Sequence, residues 1–151
     1  MAWIELSASD GHVLQAWEAR PAGTPRGALV VLQEIFGVNA HIRSVCDRWA
    51  AQGWLAIAPA LYDRVARGLE AGYDAQGIAQ GRAAKDQLGD STALLDVQAA
   101  LQRAHAGCER AAVIGFCWGG TLAWLAAARL PGVDAAVAYY GTNIAAHLGE
   151  A

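Results

Sequence analysis

Cys117 is the residue best placed by its neighbours to do covalent chemistry. It stands in the run Ala111–Gly120, A-A-V-I-G-F-C-W-G-G, where a short apolar stretch of small and β-branched residues ends at Gly115. Gly119 and Gly120 follow, and Thr121–Arg129 then carries a helical pattern. A strand, a sharp turn and a helix in that order make a nucleophile elbow, with Cys where Ser is commoner. The flanking glycines keep side chains out of a tight, strained turn. Cys117 would then sit at a helix N-terminus, where unpaired N–H groups and the helix dipole stabilise an anionic sulfur. A buried cysteine beside a glycine-rich turn is the alternative that this run alone leaves open. Glu34 is the second candidate, because it follows directly on the apolar run Gly27–Gln33. A carboxylate beside a thiol is useful as a proton acceptor and not as a charge partner, since like charges repel.

The elements that must position these groups read as follows. Trp3–Ser7 and Val13–Glu18 form two strands joined at Asp10-Gly11, a strong hairpin signal. Gly27–Gln33 lacks alternation, as a strand buried on both faces should. Asn39 caps a helix carrying Ile42, Val45, Cys46 and Trp49 at helical spacing, with Gly53 as its stop. Trp54–Ala58 is a further buried strand closed by Pro59. Residues 62–89 are polar and glycine-punctuated, with weak helical character over 78–88, and Ser91–Ala106 is a clear amphipathic helix. Val133–Tyr140 is the last apolar strand, and Gly141–Ala151 trails off. Strands alternating with helices predict one doubly wound α/β domain over residues 1–151, mostly parallel, entered through an antiparallel hairpin. Ligands in such sheets bind past the carboxyl ends of the strands, which is where Glu34, Ala60 and Cys117 fall.

Composition narrows the class. The 151 residues are 55% hydrophobic with a formal net charge of −3, so a sizeable core forms and no basic face is offered to nucleic acid. No apolar run reaches the length of a membrane span. Three cysteines behind a start that lacks a secretory pattern predict reduced thiols and a cytoplasmic protein. No His/Cys cluster has metal-ligand spacing. His12, His41 and His105 read as turn, surface and helix-end residues, Asp47 and Asp96 as polar helix faces, and Cys46 as core.

Four segments together resemble the dienelactone hydrolases (carboxymethylenebutenolidases) of the α/β-hydrolase superfamily. They are Q-E-I-F-G-V-N-A (Gln33–Ala40), A-P-A-L-Y-D-R (Ala58–Arg64), G-F-C-W-G-G (Gly115–Gly120) and Y-Y-G (Tyr139–Gly141). The resemblance implies an α/β-hydrolase fold with strands in the spatial order 1-2-4-3-5-6. It also implies hydrolysis of a small carboxylate-bearing enol lactone or ester from aromatic degradation through a thioester, without metal or organic cofactor. Residue by residue, Cys117 matches the nucleophile and Glu34 the carboxylate that helps generate the thiolate. The backbone N–H groups of Ile35 and Trp118 match the oxyanion hole, with Trp118 standing where an aliphatic residue is expected. Arg82 is the best match for the arginine that grips the substrate carboxylate and Arg64 the runner-up; a guanidinium suits either way. Tyr62 and Tyr139 are candidates to line the pocket, with core packing as the alternative. A class I glutamine amidotransferase would carry Gln where Thr121 stands.

The family order of nucleophile, acid and base is not completed here. After Tyr140 come only residues 141–151, with no Asp and a single His, His147. Two more strands, their helices and the His loop need roughly 60–90 further residues at usual element lengths. The expectation is therefore the first two-thirds of such a hydrolase, as a truncated product, a proteolysed protein or one piece of a split one. The rival to a working hydrolase is a non-catalytic remnant with a reactive thiol and little turnover. An unpaired last strand would favour a homodimer or strand exchange at the sheet edge.

Overall fold

Two layers of helices enclose a six-stranded sheet in a computed structural model that describes residues 1–150. Ala151, the end of the trailing segment, lies outside the described residues. The strands are β1 (Ala2–Ser7), β2 (Val13–Ala19), β3 (Ala28–Leu32), β4 (Leu55–Pro59), β5 (Ala111–Phe116) and β6 (Ala135–Tyr139). Their spatial order is β1-β2-β4-β3-β5-β6, the expected one, with β1 and β2 antiparallel and β3, β4, β5 and β6 parallel.

The central strands are continuous apolar runs because each of their faces meets a helix layer. Along β3 the side chains alternate with period two: Ala28, Val30 and Leu32 enter one core, Leu29 and Val31 the other. The first core is roofed by α3 (Asp90–His105) and α4 (Trp118–Arg129), the second by α1 (Ala40–Ala51). Asn39 caps α1 as its residue type predicts, accepting from Ile42 N–H at 3.1 Å.

Several expectations shift. The weak helix expected over 78–88 is a full one, α2 (Ala75–Leu88), started by an Asp74 cap that accepts from Gly77 N–H at 2.8 Å. A 3-10 turn over Leu61–Arg64 precedes it. The helix after the elbow begins at Trp118, three residues earlier than the apolar pattern suggests, because the Cys117 turn is itself the N-cap. Asp96, read as part of a polar helix face, is fully buried, where Arg64 of the 3-10 turn grips it. The last strand is shorter than expected and exposed at every residue, and β5 is its one neighbour in the sheet among the described residues. Among the described residues no helix is long and apolar enough to cross a membrane.

Candidate active site

The site is assembled by strand register. β3 and β5 run side by side with Leu32 opposite Gly115. Glu34 and Cys117 each lie two residues beyond that pair, so the parallel register delivers carboxylate and thiol to the same sheet edge. Cys117 has φ 55° and ψ −119°, left-handed backbone that a non-glycine residue adopts only where its surroundings enforce it. The enforcement is visible. A Cβ at Gly115 would run into the Gly119 carbonyl, and one at Gly119 would run into the carbonyls of Leu32 and Gln33. Only glycine lets β5, α4 and the end of β3 approach so closely. Three bonds fix the turn: Cys117 N–H donates to Tyr139 O at 3.0 Å, and the N–H groups of Gly120 and Thr121 donate back to Cys117 O at 2.9 and 3.3 Å.

Cys117 opens into a cleft of about 360 Å3 lined by Ile35, Arg82, Lys85, Asp86, Thr142 and Asn143. Arg82 and Lys85, one turn apart on α2, put two cations on the wall of the cleft that Cys117 also lines. Lys85 pairs with Asp86 at 3.0 Å, while Arg82 is exposed and makes no ion pair among the described residues. Glu34 is partly exposed, and its Oε1 lies 3.4 Å from the Tyr140 hydroxyl. Burial first, and then the charges of Glu34 and Cys117, raise the Tyr140 phenol above its usual range, so it stays protonated beside the carboxylate. Tyr140 itself is held at φ 40°.

The other sequence candidates fall elsewhere. Arg64 does not reach the cleft. It donates to Asp96 at 2.8 Å through both Nε and Nη2 and to Asp10 at 2.7 and 3.0 Å, tying the β1–β2 turn to α3. Tyr62 is 1% exposed, so it cannot touch substrate and is core, as the alternative reading had it. Trp118 does not crowd the pocket either: its indole is buried, stacks on Tyr62 and donates to Asp90 at 2.8 Å. Tyr139 stacks on Phe116 and lines a separate groove with His41 and Arg48 on the α1 side. Cys46 is buried, and burial, reinforced by Asp47, pushes its thiol up to about 12. Among the described residues no His/Cys/Asp/Glu group could hold a metal ion.

Lys85, Tyr140, Thr142 and Asn143 were not singled out from sequence. Lys85 was findable, being three residues after Arg82 on one helix. Nothing in the sequence announces the backbone twist that turns Tyr140 toward Glu34.

The profile of the dienelactone hydrolase family matches residues 14–151. The chain belongs to that family. A carboxymethylenebutenolidase of Pseudomonas putida is 37% identical over 147 residues, covering 93% of this chain and 61% of that protein. A Synechocystis protein provisionally named carboxymethylenebutenolidase is 45% identical over 120 residues, 77% of this chain and 48% of the relative. The crystal structure of a provisionally named dienelactone hydrolase from Klebsiella pneumoniae superposes with a TM-score of 0.77 at 38% identity, over 93% of this chain and 61% of that one. A Pyrococcus furiosus esterase, 18% identical with a TM-score of 0.69, shares the α/β-hydrolase fold. The chain spans about half the length of the curated relatives it matches.

Proposed function

We propose that Cys117 is the nucleophile of a hydrolase acting on a small enol lactone or ester that bears a carboxylate. The observation that carries the reading is the strained Cys117 turn opening into one cleft with Ile35 and Arg82. Glu34 accepts the thiol proton, and the sulfur attacks the carbonyl carbon. The C=O π pair moves onto oxygen, where the N–H groups of Ile35 and Trp118 receive it. Collapse re-forms the carbonyl, expels the enolate or alkoxide and leaves a thioester on Cys117, while the proton on Glu34 returns to the leaving oxygen. Arg82 grips the substrate carboxylate, with Lys85 adding a second positive charge to the same wall.

Release of the thioester requires an activated water, the work of an oriented imidazole. His147 bonds Glu150 at 3.1 Å through Nδ1, its Nε2 is buried, and it does not line the Cys117 cleft. The 151-residue chain alone therefore acylates faster than it turns over. Mixing it with p-nitrophenyl acetate should release a burst of one nitrophenolate per Cys117, followed by slow release, with mass mapping placing the acetyl group on Cys117. Acetyl on Cys46 or Cys108 instead, or steady turnover abolished by His147→Ala, would overturn the assignment. A second copy pairing or exchanging strands across the free edge of β6 is part of the same reading, and sedimentation of the purified chain tests it. The chemistry of the site and the three reduced cysteines fit a cytoplasmic enzyme of aromatic breakdown.

A further inference from the structure

The two proposed oxyanion donors belong to separate elements, Ile35 after β3 and Trp118 at the start of α4. One buried side chain touches both residues. The Tyr62 ring stacks on the Trp118 indole with centroids 5.7 Å apart and planes 16° from parallel. Its hydroxyl lies 3.1 Å from the Ile35 carbonyl oxygen and 2.9 Å from that of Gly81, sharing its proton between them. Burial, together with the nearby Cys117, pushes the phenol well above its usual range, so the hydroxyl remains a donor.

Both peptide planes that flank Ile35 are pinned from this quarter. Tyr62 holds the carbonyl of the plane after Ile35. Gln33, fully buried, takes the Leu61 N–H on its Oε1 at 3.2 Å and gives its Nε2 hydrogen to Glu34 O at 3.3 Å. The Glu34 carbonyl belongs to the very peptide whose N–H is the Ile35 donor. In a trans peptide the two point opposite ways, so fixing the carbonyl aims the N–H. The far side is equally close. α2 passes so near that a Cβ at Gly81 would run into the Ile35 carbonyl. The Trp118 indole is anchored in turn by its 2.8 Å bond to Asp90.

We propose that Tyr62 is a positioning residue that holds the two walls of the oxyanion hole in register, with Gln33 relaying the hold to the Glu34–Ile35 peptide. This rests on the nucleophile and oxyanion-hole reading above. Tyr62 never meets substrate. It acts by keeping two backbone donors converged on the point where charge develops, a geometry in which small displacements cost rate.

Two reactions of the same sulfur separate this role from ordinary packing. Acylation by p-nitrophenyl acetate passes through an oxyanion: sulfur bonds to the carbonyl carbon, the π pair moves to oxygen, and collapse expels nitrophenolate. Alkylation by iodoacetamide is a direct displacement in which sulfur takes the CH2 carbon and iodide leaves, with no oxyanion formed. Tyr62→Phe keeps the ring and removes the hydroxyl. It should slow acylation of Cys117 by about tenfold or more while alkylation stays within about twofold of wild type. Asp90→Ala, near the surface at the start of α3, frees the indole and should slow acylation by about threefold with the same insensitivity in alkylation, and this variant decides the matter if Tyr62→Phe does not fold. Equal acylation in wild type and variant, or equal loss in both reactions, overturns the bracing role. A wild-type chain in which Cys117 alkylates but never acylates overturns the oxyanion-hole reading, and the bracing role with it.

Discussion

Arg64 and Arg82 both follow β4, and they carry the same planar cation into opposite circumstances. Arg64 is enclosed: its side chain is 13% exposed and each of its three nitrogens donates to a carboxylate oxygen of Asp96 or Asp10. Arg82 is exposed on the wall of the cleft beside Cys117, with no ion pair among the described residues. A guanidinium gripped by its own protein's carboxylates holds structure together, and one left open beside Cys117 is available to a ligand. The difference is set by the partners that neighbouring elements supply. α3 offers a buried Asp96 to Arg64, whereas Lys85, next to Arg82 on α2, takes the nearest acid, Asp86.

The widest separation between the two clusters should come from the sulfur that only one of them serves. Cys117→Ala should abolish the acyl burst entirely, while brief alkylation of the wild type at neutral pH should label Cys117 and spare Cys46, whose thiol ionises only near about 12. Labelling of Cys46 ahead of Cys117 would invert the assignment. Next in size is stability. Arg64→Met leaves Asp96 charged and buried without a partner, and should lower unfolding free energy by about 3 kcal/mol in urea titrations. Arg82→Met should change it by less than about 0.5 kcal/mol. Comparable losses in both would erase the distinction drawn here.

Ligand preference should reverse that order. Arg82→Met should weaken the rate constant for acylation by a carboxylate-bearing ester by about tenfold relative to its neutral methyl ester, as expected for one lost charge-assisted contact. Arg64→Met should leave the ratio of the two esters unchanged. The smallest effect is on acid unfolding. Hydrogen bonds from Arg64 hold the Asp10 carboxyl down at about 2, so its contribution is present above the ordinary carboxylate range and lost as pH falls towards 2. Asp96 has the opposite sign, since burial raises its carboxyl even against Arg64 and the folded protein takes up that proton first. Arg64→Met should therefore alter the acid transition on both sides of about pH 4, where model carboxylates titrate, through Asp96 above it and Asp10 below it, and Arg82→Met should not, as circular dichroism on a pH series would record.

Much of this arrangement was legible in the residues. The strand ends at Gln33 and Gly115 place Glu34 and Cys117, because parallel strands buried on both faces advertise themselves as unbroken apolar runs. The order of the six strands followed from the family resemblance. What escaped did so for physical reasons. α2 looks weak because Gly77 and Gly81 lower its propensity, yet both are there because the chain passes too close for a side chain. Asp96 reads as a solvated position until its partner, 32 residues earlier in a 3-10 turn, is known. Tyr62 is an aromatic in a polar stretch, and only the fold reveals that its hydroxyl and ring face different walls of one site.

The bond from Cys117 N–H to Tyr139 O joins the strained turn to the strand with the least cover in the sheet. Stability is distributed unevenly in any domain, and a strand exposed at all five positions belongs to a unit that opens often. Each opening of β6 releases one of the three bonds that fix the Cys117 turn, the one its own N–H makes. The Cys117 backbone thus keeps the time of the outermost strand and not that of β5, to which it is covalently attached. In hydrogen exchange the Cys117 amide should trade its proton in step with the β6 amides, while that of Ile114, on the side of β5 that bonds β3, persists far longer. Whatever covers β6 would also quiet Cys117.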